Sequence, residues 1–322
     1  MSRLLTFAAC VCLSILTIRP TSAEDSADLQ TKIQQLAQAY VDGDSIRSAA
    51  IGVINGEDEF FVGVGQLSES DSRQPNRQTI YEIGSISKVF TGVLLADAIK
   101  RDLVRAEQAV QELLPKGVTM PTWKDKGTRL ITLKDLSTHA SGLPRMPNNI
   151  KIFNNPTNPY VDYKADDLFE FLKSHELRRE PGTQEEYSNL AVGLLGELLA
   201  QNQDTDYESL LKSRITDPLG MSDTTLTLSD EQRKRLAPPH DVSNQPASNW
   251  DFKAMAGAGA IRSNVDDMLK FCRANLTPPK NDVGNALNLA YQQQRDALGG
   301  SSRPMGFGWM INPGTSTHWH NG

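Results

Sequence analysis

The sequence predicts an α+β protein, with a sheet lobe drawn from strands at both ends of the chain and a helical lobe from its middle. Three observations lead there. Alternating, β-branched runs cluster near residues 48–64 and 308–320. Apolar residues recur at helical spacing through most of the chain between them. No low-complexity linker or internal repeat divides the roughly 300 residues after the first two dozen, a length suited to one large domain or two intimately joined ones.

The chain opens with Arg3, an apolar run from Leu4 to Ile18, and Thr21-Ser22-Ala23 with small residues at the offsets of signal-peptidase cleavage. Residues 1–23 are expected to be a cleavable signal peptide and 24–322 the exported domain, secreted or periplasmic. Cys10 and Cys12 would leave with the leader, so Cys272 remains without an internal disulfide partner. Both early cysteines sit inside the apolar run, which argues against lipid attachment.

Ser48–Ile54 and Glu59–Val64 flank Asn55-Gly56, a hairpin signal, and Gly308–Asn312 and Thr315–His320 flank Pro313-Gly314 in the same way. The economical arrangement joins these end strands in one antiparallel sheet, packed on the helical lobe. A strand-like run, Thr79–Ile83, is followed by Gly84 and then by Ile86, Val89, Phe90, Val93, Leu94, Ala98 and Ile99 at helical spacing. This reads as a strand, a sharp turn and a buried helix whose first turn carries Ser85.

Ser85-Ile86-Ser87-Lys88 places a hydroxyl and an amine three residues apart on one helix face. In a first turn, the Ser85 N–H lacks an intrahelical partner and faces the positive end of the helix dipole. Ser209-Leu210-Leu211-Lys212 fits the same S-x-x-K pattern but lies where charged and apolar residues alternate, as on an amphipathic surface helix. Tyr187-Ser188-Asn189 follows a turn at Glu180–Thr183 and precedes an apolar helix, adding a phenol and an amide that complete a set suited to acyl transfer. Plainer readings exist for each. Ser85 can cap a helix beside a snorkelling Lys88, while Tyr187 staples and Asn189 caps the later helix.

The formal net charge is −6, and loss of Arg3 and Arg19 with the leader takes it to −8. A mild acidic excess without basic clusters argues against nucleic acid as a partner. No second apolar stretch approaches the roughly twenty residues of a membrane span. A polar small molecule or peptide is the expected partner, and no residue pattern indicates a cofactor.

At this point the sequence resembles the penicillin-recognising serine hydrolases, in their class C β-lactamase and DD-peptidase branch. Thr138-His139-Ala140-Ser141-Gly142-Leu143-Pro144 is similar to the branch's H-x-S-G-L-P stretch, and Pro218-Leu219-Gly220-Met221 with Thr224 to its PLGM-x-x-T turn. Ala256-Gly257-Ala258-Gly259, followed by Ser263, Asp266 and Asp267, is similar to its glycine-rich entry to a helix. The matches keep the family's order from about Ile51 to Gly322. The resemblance implies a β-lactamase/DD-peptidase-like fold and an acyl-enzyme that hydrolyses a β-lactam, a D-alanyl peptide of peptidoglycan or an ester.

The same resemblance implies roles. Ser85 is the nucleophile, and Lys88 helps deprotonate it. Tyr187 is a base or proton shuttle, which requires neighbouring cations to depress its pKa below about 10. Asn189 hydrogen-bonds Lys88 and the substrate amide. His320-Asn321-Gly322 occupies the third motif, commonly K-T-G; a histidine with a reference pKa near 6.5 is a weaker anchor for a substrate carboxylate than lysine. These hydrolases take one oxyanion donor from the residue after that motif, and the sequence stops at Gly322. The domain is therefore expected to be C-terminally incomplete.

Two other classes compete. His318 and His320 alternate on one strand face as metal ligands do, but His139, His175 and His240 are scattered and bring no acidic cluster. A non-catalytic penicillin- or peptidoglycan-binding module would keep the pocket without turnover. His139 reads as a hydrogen-bonded residue of a structural turn, distinct from a triad base.

Overall fold

The computed structural model describes residues 12–15, 23–123, 129–151, 153–301, 303–315 and 317–322. Most of the run assigned to a leader thus lies outside the described residues, with Cys12–Ile15 forming strand β1. Helix α1 (Ala23–Asp42) packs on a hairpin of β2 (Ser48–Asn55) and β3 (Asp58–Gly65). The Asn55-Gly56 signal is realised as read: Asn55 faces Asp58, and Gly56 takes φ 63°, the left-handed backbone of a tight hairpin. Phe60, Val62 and Val64 alternate onto Ala37 of α1 and form a small satellite core.

The strand predicted around residues 79–83 contracts to β4 (Tyr81–Glu82), paired with β5 (Arg262–Ser263). A 3-10 turn, Gly84–Ile86, then leads into α2 (Ser87–Lys100). Every residue of α2 from Ser87 to Ala98 is buried, as expected of a helix with no polar face. Around it the chain places α3 (Leu133–Ser137), α4 (Ala165–Ser174), α5 (Asn189–Gln201), α6 (Tyr207–Leu211), α7 (Asp230–Arg233), α8 (Ala256–Gly259), α9 (Val265–Leu276) and α10 (Asp282–Tyr291). Of these, α3, α5, α6, α8 and α10 pack on α2, which is the axis of the main core. No helix among the described residues is long and apolar enough to cross a membrane.

Strands β6 (Met310–Asn312) and β7 (Thr317–Asn321) form the C-terminal hairpin. Strand grouping differs from the single sheet expected: the order β1-β7-β6 makes one sheet, and β2-β3 makes another. An open strand edge accepts one neighbour, and β1 takes that place on β7, pairing Cys12 with Asn321 and Ile15 with His318. Strand β1 lies within residues 1–23, the run read as a leader. Helix α9 joins the two sheets by packing on β2 and reaching β1.

Close backbone approach fixes α2 against the segment before β6. A Cβ at Gly92 would stand 2.2 Å from the Phe307 carbonyl oxygen, which is main chain and cannot swing away. Gly92→Ala is expected to destabilise the protein by about 1–3 kcal/mol through overpacking, despite the better helix propensity of alanine. Gly314→Ala, with nothing within 4 Å of the added methyl, should stay within about 0.5 kcal/mol of the parent. Urea midpoints of the two variants measure the difference.

Candidate active site

The site begins with a glycine. Gly84 adopts φ 52°, a left-handed conformation that turns the chain from β4 into the 3-10 turn carrying Ser85. A Cβ on Gly84 would lie 3.1 Å from the carbonyl carbon of Gly322, and one on Gly322 would lie 2.6 Å from the Ile83 carbonyl oxygen. The end of β7 is thereby held against the nucleophile turn, main chain to main chain. The third motif and Ser85 become neighbours.

Lys88 lies one turn on and is entirely withdrawn from water. Its Nζ is 3.0 Å from Ser85 Oγ and donates to the Ala258 carbonyl of α8 at 2.6 Å. The Ala-Gly-Ala-Gly composition of α8 makes that approach feasible: a Cβ on Gly257 would meet Thr91 Oγ1, the Val192 carbonyl and Gly196 Cα at 3.0–3.2 Å. Thr91 binds the Gly257 carbonyl at 2.7 Å, so two hydrogen bonds tie α2 to α8 beside the amine. Burial pushes the Lys88 pKa well below the ordinary value of 10.5, and the Arg145 charge lowers it further. A neutral amine has a lone pair free to accept the Ser85 proton.

Tyr187 closes the opposite wall, its hydroxyl within hydrogen-bonding reach of Ser85. Lys88 Nζ is 4.9 Å from the centre of its ring and the Arg145 guanidinium 5.1 Å. The expected depression of its pKa by neighbouring cations does not occur. Burial outweighs Ser85, Arg145 and Arg303 and raises the phenol to about 12, so Tyr187 stands protonated at neutral pH. A protonated phenol has no basic site to take the Ser85 proton, which leaves the Lys88 amine as the candidate base.

His139 and an ion-pair cluster hold the Tyr187 loop in place. His139 is fully buried with a left-handed backbone at φ 58°, and its Nδ1 accepts the Ser188 N–H at 3.2 Å while its carbonyl accepts from Glu186 N at 2.9 Å. Its ring packs 4.4 Å from that of Tyr187. Burial, and then the Lys88 charge, keep this imidazole neutral. Next to Tyr187, Glu185 is clasped by Arg295 and Arg303; burial alone would raise its pKa, but the two guanidinium groups reverse the shift. Ser188, not Asn189, caps α5, accepting from Ala191 N and donating to the Pro144 carbonyl.

Two expected contacts are corrected. Asn189 makes no hydrogen bond to Lys88, because its amide turns to the Met146 sulfur at 3.4 Å while the amine is engaged by Ser85 and Ala258. His320 is not a cation: fully buried and near Lys88, it has its pKa lowered to about 3. Its Nδ1–H donates to the Asn321 carbonyl 2.7 Å away, which leaves Nε2 as a buried lone pair without a partner. Asn321 and Gly322 are half-buried at the end of β7.

Outside this cluster the other motif residues take surface and bracing positions. Ser209 is exposed and bonded to Asp206, the N-cap of α6, and Lys212 pairs with Glu208 at 3.2 Å. Thr224, Ser263 and Asp267 meet in a buried hydrogen-bonded group that braces β5 and α9, a structural use of those motifs. Among the described residues, no group of three or more His, Cys, Asp or Glu side chains is arranged to hold a metal ion, and His318 stacks on Tyr291 at 3.6 Å. Trp250 borders a cavity of about 460 Å³ lined also by Ala256, Ala260 and Tyr207, apart from Ser85. Arg145 and Ala258 were not among the sequence-predicted site residues; Arg145 directly follows the Thr138–Pro144 stretch.

The beta-lactamase family model matches residues 33–322. The D-alanyl-D-alanine-carboxypeptidase/endopeptidase AmpH of Escherichia coli (strain K12) is 29% identical over 330 aligned positions, covering 96% of this chain and 81% of that protein. A beta-lactamase of the same organism is 24% identical, covering 95% of this chain and 78% of its own. Among solved structures, a beta-lactamase/D-alanine carboxypeptidase from Yersinia pestis superposes with a TM-score of 0.71 at 25% identity, over 89% of this chain and 82% of that one. The fold, the order of its motifs and these matches agree that the chain belongs to the beta-lactamase family, as a serine hydrolase of the β-lactamase and DD-carboxypeptidase type.

Proposed function

We propose that Ser85 forms an acyl-enzyme with D-alanyl peptides and with β-lactams, and that Lys88 is the base that activates it. The observation carrying this reading is the buried amine 3.0 Å from Ser85 Oγ. As Ser85 Oγ bonds to the substrate carbonyl carbon, its proton passes to Lys88 Nζ. Collapse of the tetrahedral adduct breaks the C–N bond, and the Lys88 proton reaches the leaving nitrogen through the Tyr187 hydroxyl. Water then attacks the ester and restores Ser85. The Ser85 N–H, at the open start of a helix, supports the oxyanion. The reading of residues 1–23 as a leader puts this chemistry outside the cytoplasm, where peptidoglycan peptides are found.

Preference for D-alanyl peptides rests on the carboxypeptidase relative. Incubation with a penicillin should add one penicillin mass to the intact protein, on the peptide containing Ser85. Ser85→Ala should show none. An adduct elsewhere, or none on the parent protein, would refute the assignment.

Tyr187→Phe should lower kcat/KM about 10²–10³-fold by removing the relay. The acid limb of the pH profile should remain where it was, because the titrating base is Lys88. Movement of that limb on removing the phenol would instead make Tyr187 the base.

Lys88 also couples activity to stability. Its folded pKa lies below the unfolded value, so the unfolded chain binds more protons between the two and stability rises with pH through that window. Lys88→Met keeps the volume and removes the penalty. It should abolish acylation while raising Tm at pH 7, by about 2–4 °C per kcal/mol relieved, with the advantage shrinking as pH approaches 10.5. A lower Tm at pH 7 would show that the amine's hydrogen bonds outweigh its desolvation.

A further inference from the structure

The cluster around Ser85 contains several nitrogen bases, and all but one are neutral or already paired. Lys88 is buried and bonded, His139 and His320 are held neutral, and Arg303 is committed to Glu185 at 2.8 Å. Arg179 pairs with Glu186, and Arg295 with Glu185. Arg145 is the exception. Its side chain is exposed, and its guanidinium forms no ion pair with a described residue.

Its backbone is nevertheless fixed. The Arg145 carbonyl accepts from Asn189 N at 3.0 Å and Leu190 N at 3.3 Å, which anchors it to the first turn of α5. The guanidinium carbon then stands 5.1 Å from the Tyr187 ring centre, one ring from the hydroxyl that reaches Ser85. Tyr160, whose hydroxyl stands 3.9 Å from the sulfur of Met146, the residue after Arg145, is stacked on Phe252 at 4.4 Å and edge-on to Trp250 at 5.2 Å. The Arg145 charge is felt by Lys88, Tyr187 and Tyr160 alike, so it stands within electrostatic reach of both the nucleophile's amine and this aromatic shelf.

Resting on the acyl-enzyme reading above, we infer that Arg145 binds a carboxylate of the substrate and is the anion-recognising residue of this site. A guanidinium presents paired donors that match a carboxylate and is more weakly hydrated than an ammonium, and one without an ion pair has none to break. His320 does not serve this purpose: its Nδ1–H is spent on Asn321, and the lone pair on Nε2 repels an anion. The substrate class is an acyl donor with a free carboxylate near the reacting carbonyl. That carboxylate belongs either to the leaving D-amino acid or to the acyl side chain.

Three p-nitrophenyl or peptide substrates separate these cases: an acetyl ester without charge, a glutaryl ester with its acid on the acyl side, and an acyl-D-alanyl-D-alanine peptide with its acid on the leaving side. Removing Arg145 also alters the field at Lys88, an effect common to all three, so the readout is the ratio of kcat/KM for each acid to that for the acetyl ester. In Arg145→Ala, at least one ratio should fall about 10- to 100-fold, the cost of a charge-assisted hydrogen bond, and the substrate affected identifies the carboxylate's position. Arg145→Lys should retain part of the ratio, and rising salt should erode it in the parent protein. Unchanged ratios on both acids would overturn the inference. Ser85 labelling of the parent by the acetyl ester keeps the two readings apart: labelling with unchanged ratios defeats only the role of Arg145, whereas absence of labelling by any substrate defeats the acyl-enzyme reading and this one together.

Discussion

Removal of the Lys88 amine from water is the constraint that the surrounding structure answers. An ammonium ion in an apolar interior is costly, and the cost falls if the group sheds its proton and finds hydrogen-bond partners. Both conditions need α8 within touching distance of α2, and the glycines of α8 and α5 allow it. The burial of the first turn of α2, from Ser87 to Phe90, keeps water from the amine. The packing of the core thus sets the basicity of the group beside the nucleophile.

The charges of the site are sorted by depth. Lys88, His139 and His320 lie close enough for each to feel its neighbours, and three cations crowded in one buried cluster would repel strongly. The interior resolves this by holding both imidazoles neutral and using them as fixed hydrogen-bonding groups, one on Ser188 and one on Asn321. Positive charge survives nearer solvent, in the paired Arg303 and the unpaired Arg145. Tyr187 stands at the boundary, where burial rather than cation proximity decides its protonation.

Much of this was legible in the sequence, for identifiable reasons. Ser85 and Lys88 were separable from Ser209 and Lys212 because a uniformly apolar helix and an amphipathic one have different periodicities, and burial of α2 against exposure of Ser209 reflects that difference. The two hairpins followed from turn chemistry. The ionisation states were not legible, because they depend on how deeply distant segments bury each group. The partner of Asn189 was hidden for a similar reason: it rests on where Met146 falls across the loop. Sheet grouping failed because period and turn signals define hairpins but leave the neighbour of an open edge undetermined. Arg145 escaped notice because an isolated surface arginine has no pattern of its own; what distinguishes it is the neutrality of everything around it.

The apposition of Gly84 and Gly322 has a bearing on how such a site can change. The gap between the nucleophile turn and β7 is set by two absent side chains, so main chain meets main chain there and a Cβ at either glycine would push the strand away from Ser85. Position 320 answers to a different demand, since its side chain fills a fully buried space beside Lys88. The last residue of the third motif is thus constrained by backbone contact, and the first by the interior it enters.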